Sequence, residues 1–122
     1  MIIKTEPDIQ KAKALIEMAK ITLERLKELD IEKYPTNTLS DYYDILHKLM
    51  EALNYIDGFK TKGEGAHKEL IDRVCKNNGL DESIRQFLQE MREYRNRISY
   101  EGFMIKPGYI TQNNKKIKGF SR

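Results

Sequence analysis

Only one cysteine, no tryptophan, three prolines and two histidines occur in this 122-residue chain, and each scarcity removes a class of structure or chemistry. With Cys75 alone, no intrachain disulfide can form and no cysteine cluster offers a zinc site. A reducing cytoplasm is the setting this suits. The N-terminus "MIIKTEPD" lacks the apolar run of a signal peptide, and no stretch is long and apolar enough to span a membrane. His47 and His67 fall on different expected helices, which is a poor metal signature. The glycines of "KTKGEGAHK" lack the spacing and the lysine-serine ending of a phosphate loop, so no metal and no cofactor is expected.

Hydrophobic residues make up 39% and charged residues 34%, the balance of helices that bury narrow apolar stripes. The length fits one domain. Net charge is +3 and uneven. Residues 1–80 hold 13 basic and 14 acidic side chains, net −1, whereas residues 81–122 hold 9 basic and 5 acidic, net +4. That excess lies in "EYRNRISYEGF" and in the tail "NNKKIKGFSR", and it permits a phosphate-bearing partner.

Apolar spacing predicts four helices and no strand, apart from weak alternation in "GFMIKP". In "TEPD", Thr5 is expected to cap helix 1 and Pro7 to occupy its first turn. Ile9, Ala12, Ile16, Ala19, Leu23 and Leu26 then draw a seam that ends near Leu29. Pro35 reads as a breaker, with Thr38 or Ser40 capping helix 2, whose seam is Leu39, Tyr42, Leu46, Leu49, Leu53 and Ile56. A short helix 3 carries Ala66, Leu70, Val74 and Cys75 inward and stops at Gly79. Asp81 caps helix 4, seamed by Ile84, Phe87, Met91, Tyr94 and Ile98 and ended by Gly102. After Pro107 only a short turn or helix is expected, then a flexible basic tail over 113–122. The fold class is all-α, an antiparallel four-helix bundle in one domain of residues 1–122 with a short C-terminal extension.

Two readings apply to the end of helix 4. Arg95, one turn after Met91, borders the buried seam and shares its side with Arg92 and Ser99, so its stem could simply cover apolar surface. Alternatively its permanent charge and forked donors hold phosphate oxygens. Tyr100 lies roughly 140° round an ideal helix from Arg95, so the two converge only if the helix deforms near Gly102 or a two-fold partner brings a second copy opposite. His47 is expected on the exposed side of helix 2, and His67 in the first turn of helix 3. Either could serve as a displaced base, although each reads first as an ordinary surface or capping residue.

"YRNRISYEGF", preceded by "EALNYIDGFKTKGEGAHKELIDRV" and two long helices, resembles the HEPN domain, a small prokaryotic all-α domain often encoded beside a minimal nucleotidyltransferase. The similarity covers about Thr5 to Tyr109. The family hallmark is an arginine, commonly followed by a polar residue, then four to six residues to a histidine. Arg95 and Asn96 match its first half, and Tyr100 stands where the histidine is expected. Members with the full motif are metal-independent ribonucleases whose paired motifs meet at a dimer interface.

The resemblance therefore implies a homodimer that binds RNA or nucleotide in a toxin–antitoxin or nucleotidyltransferase-linked system. Arg92, Arg95 and Arg97 would hold phosphate, Arg95, Asn96 and Tyr100 would be the catalytic set if the protein is an endoribonuclease, and Ser99 and His67 would be accessory. A free tyrosine, with a pKa of about 10, is only ~0.1% ionised near pH 7, a handicap of roughly 4 kcal/mol for a base. Binding or weak cleavage is thus expected ahead of efficient catalysis. A non-catalytic module that docks onto a nucleotidyltransferase is the alternative, and Tyr100 would then also be a candidate acceptor of a nucleotide by analogy with family members.

Overall fold

The computed structural model describes residues 1–30, 33–63, 65–106, 108–110 and 112–113. The protein is mostly helical: α1 (Ile9–Lys27), α2 (Pro35–Ile56), α3 (Ala66–Asn77) and α4 (Glu82–Glu101), with residues 108–110 and 112–113 also helical. One feature breaks the all-helical expectation. β1 (Ile2–Lys4) pairs antiparallel with β2 (Phe59–Thr61), with Ile3 opposite Lys60. Three-residue strands are too short to show alternation, and their pairing partners lie more than fifty positions apart, so neither could be read locally. The "GFMIKP" stretch forms no strand.

That ribbon also moves the start of α1. The Thr5 backbone N–H donates to Gly58 O at 2.7 Å, which extends the β1–β2 pairing and leaves Asp8, rather than Thr5, to cap the helix through a 2.9 Å bond from the Lys11 N–H. Pro7 accordingly precedes the helix. α2 starts at Pro35 itself, not at Thr38 or Ser40. Proline is pre-set for the first helical position, where its missing N–H costs nothing, so the residue expected to break the chain begins the helix instead. The α1 terminus at Lys27 falls two residues short of the expected end.

Other ends lie where expected. Asp81 caps α4 by accepting from the Ile84 N–H at 3.0 Å. Gly79 takes a left-handed conformation after α3, and the Leu80 N–H closes back on Cys75 O at 3.0 Å. Gly102, at φ 67°, ends α4.

α2 is the central element, in contact with α1, α3 and α4. Of the helices and strands, only α2 comes within 8 Å of α1 between Cα atoms among the described residues. The main core joins Ala19 and Leu26 of α1 to Tyr42, Tyr43, Ile45, Leu46 and Met50 of α2, to Leu70, Ile71, Val74 and Cys75 of α3, and to Phe87, Leu88 and Met91 of α4. Ile9, Leu53 and Ile56, placed in the seams of α1 and α2 by spacing, are exposed, while the neighbouring Ala52 and Asn54 of α2 are buried. A second cluster packs Ile105 and Ile110 against Leu39, with Tyr94, Ile98, Phe103 and Tyr109 around them. The extension beyond Gly102 thus folds back onto α2 and α4, tied by the Ile105 N–H to Thr36 Oγ1 at 2.9 Å. Asn113, expected in the tail, bonds through Nδ2 to Tyr109 O at 2.8 Å. Pro107 and residues 114–122, which hold the basic tail, lie outside the described residues.

Candidate functional site

Tyr43, His47 and Glu51 recur every four residues on α2 and so form one stripe along it. The stripe faces the start of α3 and the middle of α4. There His67, in the first turn of α3, inserts over it: the His47 and His67 rings stack with centroids 3.9 Å apart and planes 18° from parallel. Tyr43 lies 6.0 Å from each ring, and its hydroxyl meets His67 Nδ1 at 3.1 Å. His47 Nδ1 contacts Glu51 Oε1 at 2.9 Å. A carboxylate only accepts, so His47 carries its hydrogen on Nδ1, and Nε2 takes no part in that bond.

Contrary to the surface position expected for His47, its side chain is only 17% exposed. The apolar stripe of α2 is wider than one seam, because α3 and α4 both pack on it, and His47 lies within that width. Spacing along one helix could not reveal this.

α4 supplies the cations. Arg92 and Arg95 are one turn apart on the side that faces Tyr43 and His67. Arg92 donates from Nε to Gln89 Oε1 at 2.7 Å, and Arg95 lies 3.7 Å from Asp44 of α2. At 3.7 Å that ion pair is loose, and exposure weakens it further, so the Arg95 guanidinium keeps donors for a ligand. Arg92 is the more enclosed of the two, at 17% exposed.

Each titratable group responds to this setting. Burial, repulsion from His47 and the nearness of Arg95, with Arg92 a smaller contributor, push the His67 pKa down, so its imidazole is neutral near pH 7; Glu51 pulls weakly the other way. The bond from His47 holds the Glu51 carboxyl below its ordinary range despite burial. Burial pushes the Tyr43 hydroxyl well above its usual value, although Arg92 and Arg95 oppose this, so it stays a neutral donor and acceptor.

The expected site residues divide into two groups. Arg92, Arg95 and His67 come together, joined by His47, which the sequence offered only as a displaced base expected on the surface, and by Tyr43, Glu51 and Asp44, which sequence reasoning did not assign to the site. Arg97, Ser99 and Tyr100 lie on the exposed last turns of α4. Arg97 pairs with Glu101 at 3.3 Å and stacks its guanidinium 3.9 Å over Phe103, so it braces the chain reversal at Gly102. Tyr100 is 82% exposed, and Asn96 is half-buried between the two groups. A signal for the missed residues was present in the four-residue spacing of Tyr43, His47 and Glu51, but their convergence with His67 required the packing of α3. Among the described residues no group of three or more histidine, cysteine or acidic side chains could hold a metal ion, and no helix is long and apolar enough to cross a membrane.

Comparison with known proteins adds no relative: no family model, no curated protein and no solved structure matches the chain. The site must therefore be read from its own chemistry. Two guanidinium groups and two imidazoles lie beside a phenol and the carboxylates of Glu51 and Asp44, which sets donors that can bind an oxyanion next to groups that can take up or release a proton.

Proposed function

We propose that this is a HEPN-like protein, an antiparallel four-helix domain of the cytoplasm that binds RNA or nucleotide phosphate and works in a toxin–antitoxin or nucleotidyltransferase-linked system. The observation that carries the reading is the convergence at the α2–α3–α4 junction, where His67 stacks on His47 at 3.9 Å and meets Tyr43 at 3.1 Å, Arg95 lies 3.7 Å from Asp44, and Arg92 bonds to Gln89, whose Nε2 reaches Lys68 O next to His67. Arg95, loosely held by Asp44, is the principal phosphate donor. The exposed Tyr100 and Met104, near the end of α4, offer surface for a second copy, which would set two such sites side by side.

The test is binding of a short single-stranded RNA by the wild type and by Arg95→Ala across a salt series. Affinity should fall as salt rises, and the variant should bind more weakly with a salt slope reduced by about 1. Unchanged affinity and slope in the variant would refute the assignment.

A second reading, metal-independent ribonuclease activity, is favoured by the Glu51–His47 pair. A carboxylate that orients Nδ1–H leaves Nε2 basic, which is what removal of a proton from a 2′-hydroxyl requires. On this reading the base comes from α2 and the tyrosine at position 100 is not needed. Cleavage of single-stranded RNA in EDTA should then fall about 10²- to 10⁴-fold in His47→Gln. Equal rates in the two proteins would reject the role of His47.

A further inference from the structure

The two imidazoles at this site raise a question of charge. They are stacked at 3.9 Å, with Arg95 3.7 Å from Asp44 of α2 and Arg92 bonded to Gln89, whose Nε2 reaches Lys68 O next to His67. From α2 the group also faces Tyr43, a neutral hydroxyl, Glu51, which is bound to His47, and Asp44, which is paired with Arg95. Two guanidinium groups and two carboxylates therefore surround the imidazoles, both carboxylates are already engaged, and Arg92 also lies 3.7 Å from Glu93. Adding a proton to His67 there is opposed by every cation around it.

An oxyanion seated between the arginines reverses this balance. It brings at least one negative charge into a partly enclosed space where electrostatic interactions are stronger than in water. His67 can accept a proton without breaking its existing contact. Its Nδ1 bonds to a hydroxyl, which accepts from Nδ1–H as readily as it donates to a bare Nδ1, so Tyr43 fits both states after a rotation of its O–H. The Nε2 atoms of both histidines have no protein partner among the described residues and remain available to a ligand.

We propose that the Arg92–Arg95 site binds an oxyanion together with one proton, which His67 takes up as the anion enters. The inference rests on the phosphate-binding reading above and adds its regulation: occupancy depends on pH as well as on ligand concentration. The reciprocal holds by linkage, and a bound anion makes His67 more basic.

Sulfate serves as the probe, because its charge is constant between pH 5.5 and 8 and it cannot be cleaved. Titrations at constant ionic strength, followed by NMR of the histidine Cε1–H groups and the arginine Nε–H groups, report both binding and protonation. With only two histidines, His47→Gln and His67→Gln assign the signals. Sulfate affinity should rise by up to ~10-fold per pH unit on acidification below neutrality, the limit for one linked proton, and the His67 midpoint should move up when sulfate is bound. His67→Gln should flatten the pH dependence. His47→Gln should raise the His67 midpoint in the free protein, a readout that loss of mere packing would not produce.

The outcomes separate cleanly. Sulfate that shifts Arg92 and Arg95 with the same affinity at every pH, leaving His67 unmoved, overturns this inference and leaves the phosphate-binding reading intact. Sulfate that shifts none of these groups at any pH overturns both.

Discussion

At the scale of single residues, His67 shows how a side chain acquires chemistry from its neighbours. Alone it is one of two histidines in a loop-to-helix transition. In place, it is half-buried, stacked on a second imidazole and faced by two arginines, and each of these favours its neutral form. The consequence for stability has a definite sign. A histidine whose pKa is lower in the folded state than its ordinary value of about 6.5 binds more protons when unfolded, so stability is full above that value and is lost as pH falls through it. Glu51 acts in the same direction in a lower window, because its carboxyl must be protonated against the bond from His47. Urea midpoints should therefore decline from pH 7.5 towards pH 5, and His67→Gln should show a shallower decline over that interval. A decline equally steep in the variant would place the acid sensitivity elsewhere.

Among the elements, the short ribbon sets the relation of the N-terminus to the rest. Gly58 is its pivot: φ is +83°, a Cβ would lie 2.8 Å from Thr5 O, and its carbonyl accepts the Thr5 N–H. Glycine supplies both the left-handed conformation and the close approach of the two backbones. Gly58→Ala should cost on the order of 1–3 kcal/mol in denaturant unfolding, from strain and from displacement of the first strand. It should also raise hydrogen exchange at the Thr5 amide more than at amides in the middle of α4, a contrast that uniform destabilisation would not give. Helix ends carry a similar lesson. The caps at Asp81, Gly79 and Gly102 depend on local chemistry and were legible in the sequence. The starts of α1 and α2 were not, because a distant strand claimed the backbone of Thr5 and because Pro35 serves equally well as a breaker or as a first helical residue.

For the molecule as a whole, the second core cluster explains why the chain beyond Gly102 has structure. Ile110 is fully buried and Ile105 is 6% exposed, both against Leu39 near the start of α2. Leu39→Ala and Ile110→Ala should each destabilise by about 2–5 kcal/mol. The double variant should depart from additivity by about 0.5–3 kcal/mol, because the two residues share one cluster. Strict additivity in denaturant titrations would mean that the extension packs independently of α2. Composition and apolar spacing by themselves determined a mostly helical chain, most of the inward positions of its helices and a cluster of arginines near the end of α4, but not the exposure of Ile9, Leu53 and Ile56 or the burial of His47. These follow from local periodicity and backbone preference, which act over a few residues. Tertiary structure alone decided that residues 2–4 pair with 59–61, that the extension folds back, and that Tyr43, His47 and Glu51 meet His67, Arg92 and Arg95. Those contacts join residues 16 to 71 positions apart, and whether a polar side chain lies on a surface or against its neighbours depends on which helix covers it.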